Sequence, residues 1–205
     1  MLRGTLKRRR NNAQPTLQNQ ITSLRRQVER NKPETQYFRI RNNFYSSAAT
    51  SVQQLNLNVT ETLIGSSDFR NNVTGDLWTN ARLDFRTYLT PDCNQFRIVI
   101  YVPKKSGNRF NPSQYPFVTI PDPTAFTIYH DKTYTRDYDN INSNNTKKPH
   151  QYVHRFLSLR NMMTKYNSES AIIERGEIIV SIIFDPQTAL TLQGDYSYML
   201  TYANK

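Results

Sequence analysis

The sequence predicts an all-β domain, an eight-stranded antiparallel jelly-roll sandwich, preceded by a basic and partly helical N-terminal arm. Three observations carry that expectation. Period-two alternation recurs along the second part of the chain, as half-buried strands require. No amphipathic helical stretch of ten or more residues follows residue 33, apart from a short turn near residues 187–192. All 24 aromatic residues lie beyond residue 36, whereas most of the net positive charge lies before it. Strands without crossover helices cannot build a parallel sheet. Eight antiparallel strands in roughly 170 residues are best housed in two sheets, and the jelly roll is the eight-stranded form that does so.

The arm comes first, as residues 1–32. It holds Arg3, Lys7, Arg8, Arg9, Arg10, Arg25, Arg26, Arg30 and Lys32 against the single acid Glu29, a net of +8 out of +11 for the whole chain. Lys7-Arg8-Arg9-Arg10 has no apolar residue to fold around and is expected to be disordered when free. Pro15 and Thr16 mark a helix start. Leu17, Ile21, Leu24 and Val28 follow at spacings of 4, 3 and 4, an a/d stripe two heptads long. Arg25, Arg26, Glu29 and Arg30 fall on the other faces. Two heptads are marginal alone in water, so the stripe needs a partner. That partner is either the chain's own domain or other copies in a short inter-subunit bundle.

The body, residues 33–205, reads as strands and loops. Residues 83–89 alternate with Leu83, Phe85 and Leu89 on one face, and residues 96–102 with Phe96, Ile98, Ile100 and Val102. Residues 177–184 are β-branched almost throughout, as in a central strand apolar on both faces. A Tyr-rich strand, 196–202, closes the chain. Weaker strands are expected at 37–45, 52–59, 126–136 and 152–161. The connections 65–75, 104–114 and 137–149 are long and polar, as mobile tips or functional surfaces are.

The same residues exclude several classes of function. One cysteine among 205 residues rules out a disulfide framework. Aromatics at 12% argue against general disorder. No run of 18 apolar residues exists to span a membrane, and charge at Lys7 precedes any apolar segment, so no secretory signal and no membrane partner are expected. No phosphate-binding Gly-rich loop, HExxH or CxxC is present, and no catalytic residue is assigned. Cys93 sits in a turn between strands, and only three histidines exist to serve as its base. His150 and His154 lie four apart on a predicted strand, about 13 Å, too far to share a metal. Asp137 and Asp139 open like a calcium loop, but Ile141 and the missing glycine break the pattern. No cofactor or resident metal is expected, and calcium shared between subunits by loop carboxylates stays open.

The order of these segments resembles a family. The strand Phe126-Thr127-Ile128-Tyr129-His130-Asp131-Lys132-Thr133-Tyr134 resembles the aromatic, apolar, Asp-Lys-Thr strand of single-jelly-roll capsid proteins. Those belong to small icosahedral viruses, namely circular Rep-encoding single-stranded DNA viruses and satellite tobacco necrosis virus. The basic arm, AATSVQQLNLNV at 48–59, LDFRTYL at 83–89 and FRIVIYVPKKSG at 96–107 follow in matching order. A Lys165-Tyr166-Asn167 turn then precedes GEIIVSIIFD at 176–185 and the Tyr-rich end. The arm is shorter than in many circoviruses and nearer the satellite-virus length, which leaves the genome as DNA or RNA.

The resemblance implies a coat protein of about sixty copies packing a nucleic-acid genome, residing in the virion and before that in the host nucleus or cytoplasm. The residues agree with it independently. A detachable basic arm on an all-β body gathers polyanion by releasing condensed counterions, and arginine, twice as frequent here as lysine, suits phosphate. The rival classes are a monomeric nucleic-acid-binding β domain, whose basic residues would line a β face, and a jelly-roll lectin or enzyme, which would need carboxylates or metal ligands converging on a cleft.

Overall fold

The computed structural model describes residues 17–30, 35–46, 53–61, 76–89, 93–112, 116–135, 151–167, 172–186 and 192–204. One helix, α1 (Leu17–Arg30), precedes nine strands: β1 (Thr35–Ser46), β2 (Gln53–Asn58), β3 (Leu77–Leu89), β4 (Cys93–Pro103), β5 (Phe126–Thr135), β6 (Gln151–Asn167), β7 (Ile172–Arg175), β8 (Ile179–Pro186) and β9 (Leu192–Asn204). The chain divides into two units, Met1–Pro33 with the helix and Glu34–Lys205 with the strands.

The strands form two sheets, a five-stranded one in the order β1-β9-β3-β6-β7 and a four-stranded one in the order β2-β8-β4-β5. Every pairing is antiparallel. With β7 set aside, the two four-stranded orders are those of a jelly roll, and the chain crosses between sheets at every connection among these eight strands except β4 to β5.

The expected alternation explains the core. Phe96, Ile98, Ile100 and Val102 of β4 turn inward against Phe38, Leu83, Phe85, Tyr198, Leu200 and Tyr202 of the facing sheet. The expectation for residues 177–184 also holds. Ile178, Val180, Ile182 and Phe184 enter the sandwich core, while Ile179 and Ile183 face away into a second cluster with Val99, Tyr101 and Phe110. Phe117, Phe126 and Ile128 pack on that cluster. The outer face of the four-stranded sheet is thus covered by the chain itself.

Three expectations need correction. Among the described residues there are nine strands, because β7 forms a short edge beside β6. Residues 165–167 are the end of β6, where Lys165, Tyr166 and Asn167 pair with β7, and so are not a turn. β3 and β6 also run further than expected, for one reason. Trp78 and Asn80 are buried, and burial then shifts phase to Leu83, Phe85 and Thr87. The shift falls where the β3–β6 register slips between Asn80 and Arg82. On β6 the slip is absorbed at Arg160 and Asn161, with φ of 51° and 57°, a bulge that re-aims the strand. Residues 187–191 lie outside the described residues.

The slip encloses a buried polar chain. The Trp78 indole N–H donates to Asn80 Oδ1 at 3.1 Å, the Asn80 amide donates to Thr164 Oγ1 at 2.6 Å, and the Thr164 hydroxyl donates to the Gly176 carbonyl at 2.7 Å. Gly176 has φ +74°, and a Cβ there would lie 2.1 Å from the Met163 carbonyl oxygen, so only glycine fits.

Candidate nucleic-acid interface

The sequence places the interface on the arm. Helix α1 begins at Leu17, directly after the Pro15-Thr16 signal, and runs 14 residues, about 21 Å at 1.5 Å per residue. At about 100° per residue, Leu17, Ile21 and Leu24 fall within about 60° of one another, with Val28 in the same register. They are exposed at 73%, 43% and 59% respectively for the first three. Arg26 sits about 170° round the helix from this stripe and Arg25 about 70° to one side, and both are exposed. Arg30 lies in the last turn. Thr22 donates its hydroxyl to the Gln18 carbonyl at 2.8 Å. Arg3, Lys7, Arg8, Arg9, Arg10 and Lys32 lie outside the described residues, as do the whole of the 65–75 loop and the whole of the 137–149 loop with Asp137 and Asp139.

The remaining loop, 104–114, does not behave as a free polar tip. Phe110 is buried beneath it, and Arg109 donates to both oxygens of Glu177 at 2.8 and 2.7 Å. Glu177 is itself buried and also accepts from the Asn58 amide. The next stretch is held by Arg97, buried at 4% exposure. Its Nε and Nη2 donate to Asp131 at 2.7 and 2.6 Å, and Nη1 donates to the carbonyls of Pro116 and Thr119, both at 2.8 Å. These two clamps fasten residues 104–112 and 116–119 onto the four-stranded sheet. Period-two reading assigns Arg97 to the solvent side of β4. That assignment is right in direction, but the sequence offers no sign that a loop closes over it.

His130 and Asp131, neighbours on β5, make separate polar contacts. Asp131 is the cross-strand partner of Arg97, whereas His130 Nε2 meets the Tyr134 hydroxyl at 3.3 Å. Burial, and then the charge of Arg155, holds the His130 ring below its ordinary pKa of 6.5. His154 is exposed on β6 and contacts Asp84 at 3.0 Å. Arg86, at 3.1 Å, is the main reason the Asp84 carboxyl is held below its usual range. Among the described residues no group of three or more His, Cys, Asp or Glu converges as a metal site, and no helix is long and apolar enough to cross a membrane.

The outer face of the five-stranded sheet was not singled out by sequence reading. It presents Arg39 and Arg41 from β1, Arg82 and Arg86 from β3, and Tyr152 and Phe156 from β6, all exposed. The signal was present as arginines and aromatics at alternate positions, but the arm's denser charge masked it.

No family model matches the sequence, and no curated protein matches it. Among solved structures the chain is similar to the decameric BFDV capsid protein, at 9% identity and a TM-score of 0.43, over 83% of this chain and 98% of that one. It is likewise similar to the 60-mer BFDV capsid protein, at 10% identity and a TM-score of 0.41, over 84% of this chain and 94% of that one.

Proposed function

We propose that the chain is a viral coat protein, whose jelly-roll body, residues 33–205, assembles with copies of itself into a small icosahedral shell. The arm, residues 1–32, packages a single-stranded DNA or RNA genome inside it. One observation carries this reading: a sandwich with jelly-roll strand order bears a net charge of +8 in the 32 residues ahead of its first strand. In a shell of sixty, such arms bring roughly 480 positive charges to one side, on the scale of the phosphates of a genome of about a thousand nucleotides or more. The protein then resides in the virion, after synthesis and assembly in the host cytoplasm or nucleus. It acts as a structural protein and not as an enzyme.

The exposed stripe of α1 gives the arm a second task. Three copies of Leu17, Ile21, Leu24 and Val28 would bury one another in a short bundle beneath a threefold axis, leaving Arg25, Arg26 and Arg30 to face the genome. Like charges brought that close repel, so the bundle forms when nucleic acid supplies counter-charge.

Negative-stain microscopy of purified protein tests the shell: uniform hollow particles about 20 nm across are expected, as sixty small subunits imply. Monomers at every salt concentration would overturn the reading. Deleting residues 1–12 removes five basic residues and no aromatic. It should leave the body folded and lower the salt slope of single-strand binding by about 3.5. Unchanged packaging by the truncated chain would remove the arm from that role. Replacing Ile21 and Leu24 with Ser should lower particle yield while the body still folds, and normal assembly of that variant would dismiss the bundle.

A further inference from the structure

The two outer faces of the sandwich differ. One is sealed by the chain itself, with Phe110, Phe117 and Phe126 packed over Val99, Tyr101, Ile179 and Ile183. The other, on the five-stranded sheet, is exposed and carries aromatic rings beside arginines. Tyr37, Tyr152 and Phe156 are 57%, 60% and 58% exposed there. Large rings so open to water are not core residues, and rings scattered among guanidinium groups do not form a seam that excludes charge.

The register fixes their arrangement. Arg39 pairs with Met199, Met199 with Asp84, and Asp84 with Phe156, so one row runs across four strands from a guanidinium to a ring. In the row on one side, Tyr37 aligns through Thr201 with Arg82. In the row on the other, Arg41 aligns through Ser197 with Arg86 and His154. Tyr37 and Phe156 are separated by three strand spacings and a two-residue step along the strands, about 16 Å, and Tyr152 and Phe156 by about 13 Å along β6. The Arg82 guanidinium lies 5.9 Å from the Phe156 ring centroid, poised above the same ring.

Around these rings the charges among the described residues are four arginines against Asp84 and Asp195, and further along β6 Lys165 is paired with Glu174. Asp84 is satisfied by Arg86 and His154, and Asp195 lies 3.9 Å from Arg41. Among the described residues neither Arg39 nor Arg82 is in an ion pair. The face therefore presents two guanidinium groups without a carboxylate, flanked by stacking surfaces. In addition, the +8 arm leads directly into β1, an edge strand of this same sheet.

We propose that this face is a second nucleic-acid contact, one that stacks unpaired bases on Tyr37, Tyr152 and Phe156 while Arg39 and Arg82 hold the intervening phosphates. The inference rests on the packaging role proposed above and adds a preference that the arm alone does not confer. A cationic arm neutralises any polyanion, duplex or single strand. Exposed rings gain only from bases whose faces are free, so this sheet selects single strands, without a sequence code. The spans of about 13 and about 16 Å admit about two extended nucleotides between rings.

The test uses the full-length chain, a short oligothymidine carrying 5-iodouracil, and a duplex of equal length. Photocrosslinks are expected at Tyr37, Tyr152 or Phe156. The double variant Phe156→Leu/Tyr152→Leu keeps apolar bulk but loses the stacking faces. It should bind the single strand about tenfold more weakly, with the salt slope and the duplex affinity unchanged. Phe156→Trp should retain wild-type affinity. Crosslinks confined to residues 1–32, with wild-type binding by the double variant, would overturn the inference and leave the arm's role intact. A double variant that binds normally but no longer forms particles would make this face a subunit contact, which also overturns it. A full-length chain that binds neither oligonucleotide at low salt would overturn the packaging role itself.

Discussion

Replacing Arg97 with Met tests what holds the sealed face shut. The guanidinium makes two bonds to Asp131 and two to the carbonyls of Pro116 and Thr119, and it lies 5.5 Å from the Phe110 ring centroid. Methionine keeps much of the stem's volume, so the cavity term is small. It leaves the Asp131 carboxylate, 28% exposed as a side chain, without its guanidinium partner, and it removes the Arg97 bonds to the carbonyls of Pro116 and Thr119. Removing one member of a buried pair costs about 3–5 kcal/mol. Partial wetting of Asp131 puts this site near the lower end, about 3 kcal/mol. In a body of this size that is a fall of roughly 6–12 °C in Tm.

Urea unfolding followed by circular dichroism measures the loss, and limited proteolysis between residues 104 and 125 reports whether the loop lifts. Lifting would expose Val99, Tyr101, Ile179 and Ile183, so aggregation should accompany it. The companion variant Arg97→Met/Asp131→Leu removes both charges and should recover most of the stability, because a buried pair is often replaceable by apolar groups. A single variant within about 1 kcal/mol of wild type would refute the clamp. A double variant as unstable as the single one would refute the assignment of the cost to the orphaned carboxylate.

Two further substitutions probe other parts of the body. Gly176→Ala forces a side chain into φ +74° and against the Met163 carbonyl, and should cost about 3–5 kcal/mol or abolish soluble yield, read by thermal melting. His130 is held below its ordinary 6.5 by burial and by Arg155, with Lys132 adding to this and Asp131 opposing it. The unfolded chain therefore takes up the proton first as pH falls. The stability this ring contributes is present in full above 6.5 and is lost below it. Melts at pH about 7.5 and about 5 should show a smaller drop for His130→Asn than for wild type, and equal drops would discard the assignment.

How far the fold was legible depended on phase. β4 and β8 were readable because their inward-facing residues keep one phase from end to end, and the two apolar faces of β8 announced a cover on each side. β3 was readable only after Ala81 and β6 only as far as Asn161, because the slip between them reverses which residues face inward. β7 is four residues, Ile172-Ile173-Glu174-Arg175, too few to show a period. The cover over the second cluster was hidden because residues 104–114 are polar except for Phe110, and that one ring does the sealing. The helix was legible from its stripe alone. The open face was not, since single arginines in amphipathic strands look like ordinary solvent-side residues until the register sets them beside Tyr37 and Phe156.

The molecule keeps its two kinds of charge apart. Arg97 with Asp131, and Arg109 with Glu177, each have at least one member nearly sealed from water, and salt screens such pairs little. The arm and the open sheet face carry exposed arginines, whose attraction to phosphate falls steeply with ionic strength. Raising salt should therefore strip nucleic acid from the protein well before it loosens the clamps. The division has a physical reason. A body that relied on exposed charge for its own stability would soften when cargo competed for the same groups. Burying the structural pairs keeps Arg25, Arg26, Arg39 and Arg82 out of the ion pairs found among the described residues, so the nucleic-acid role proposed for them would not draw on the fold that carries them.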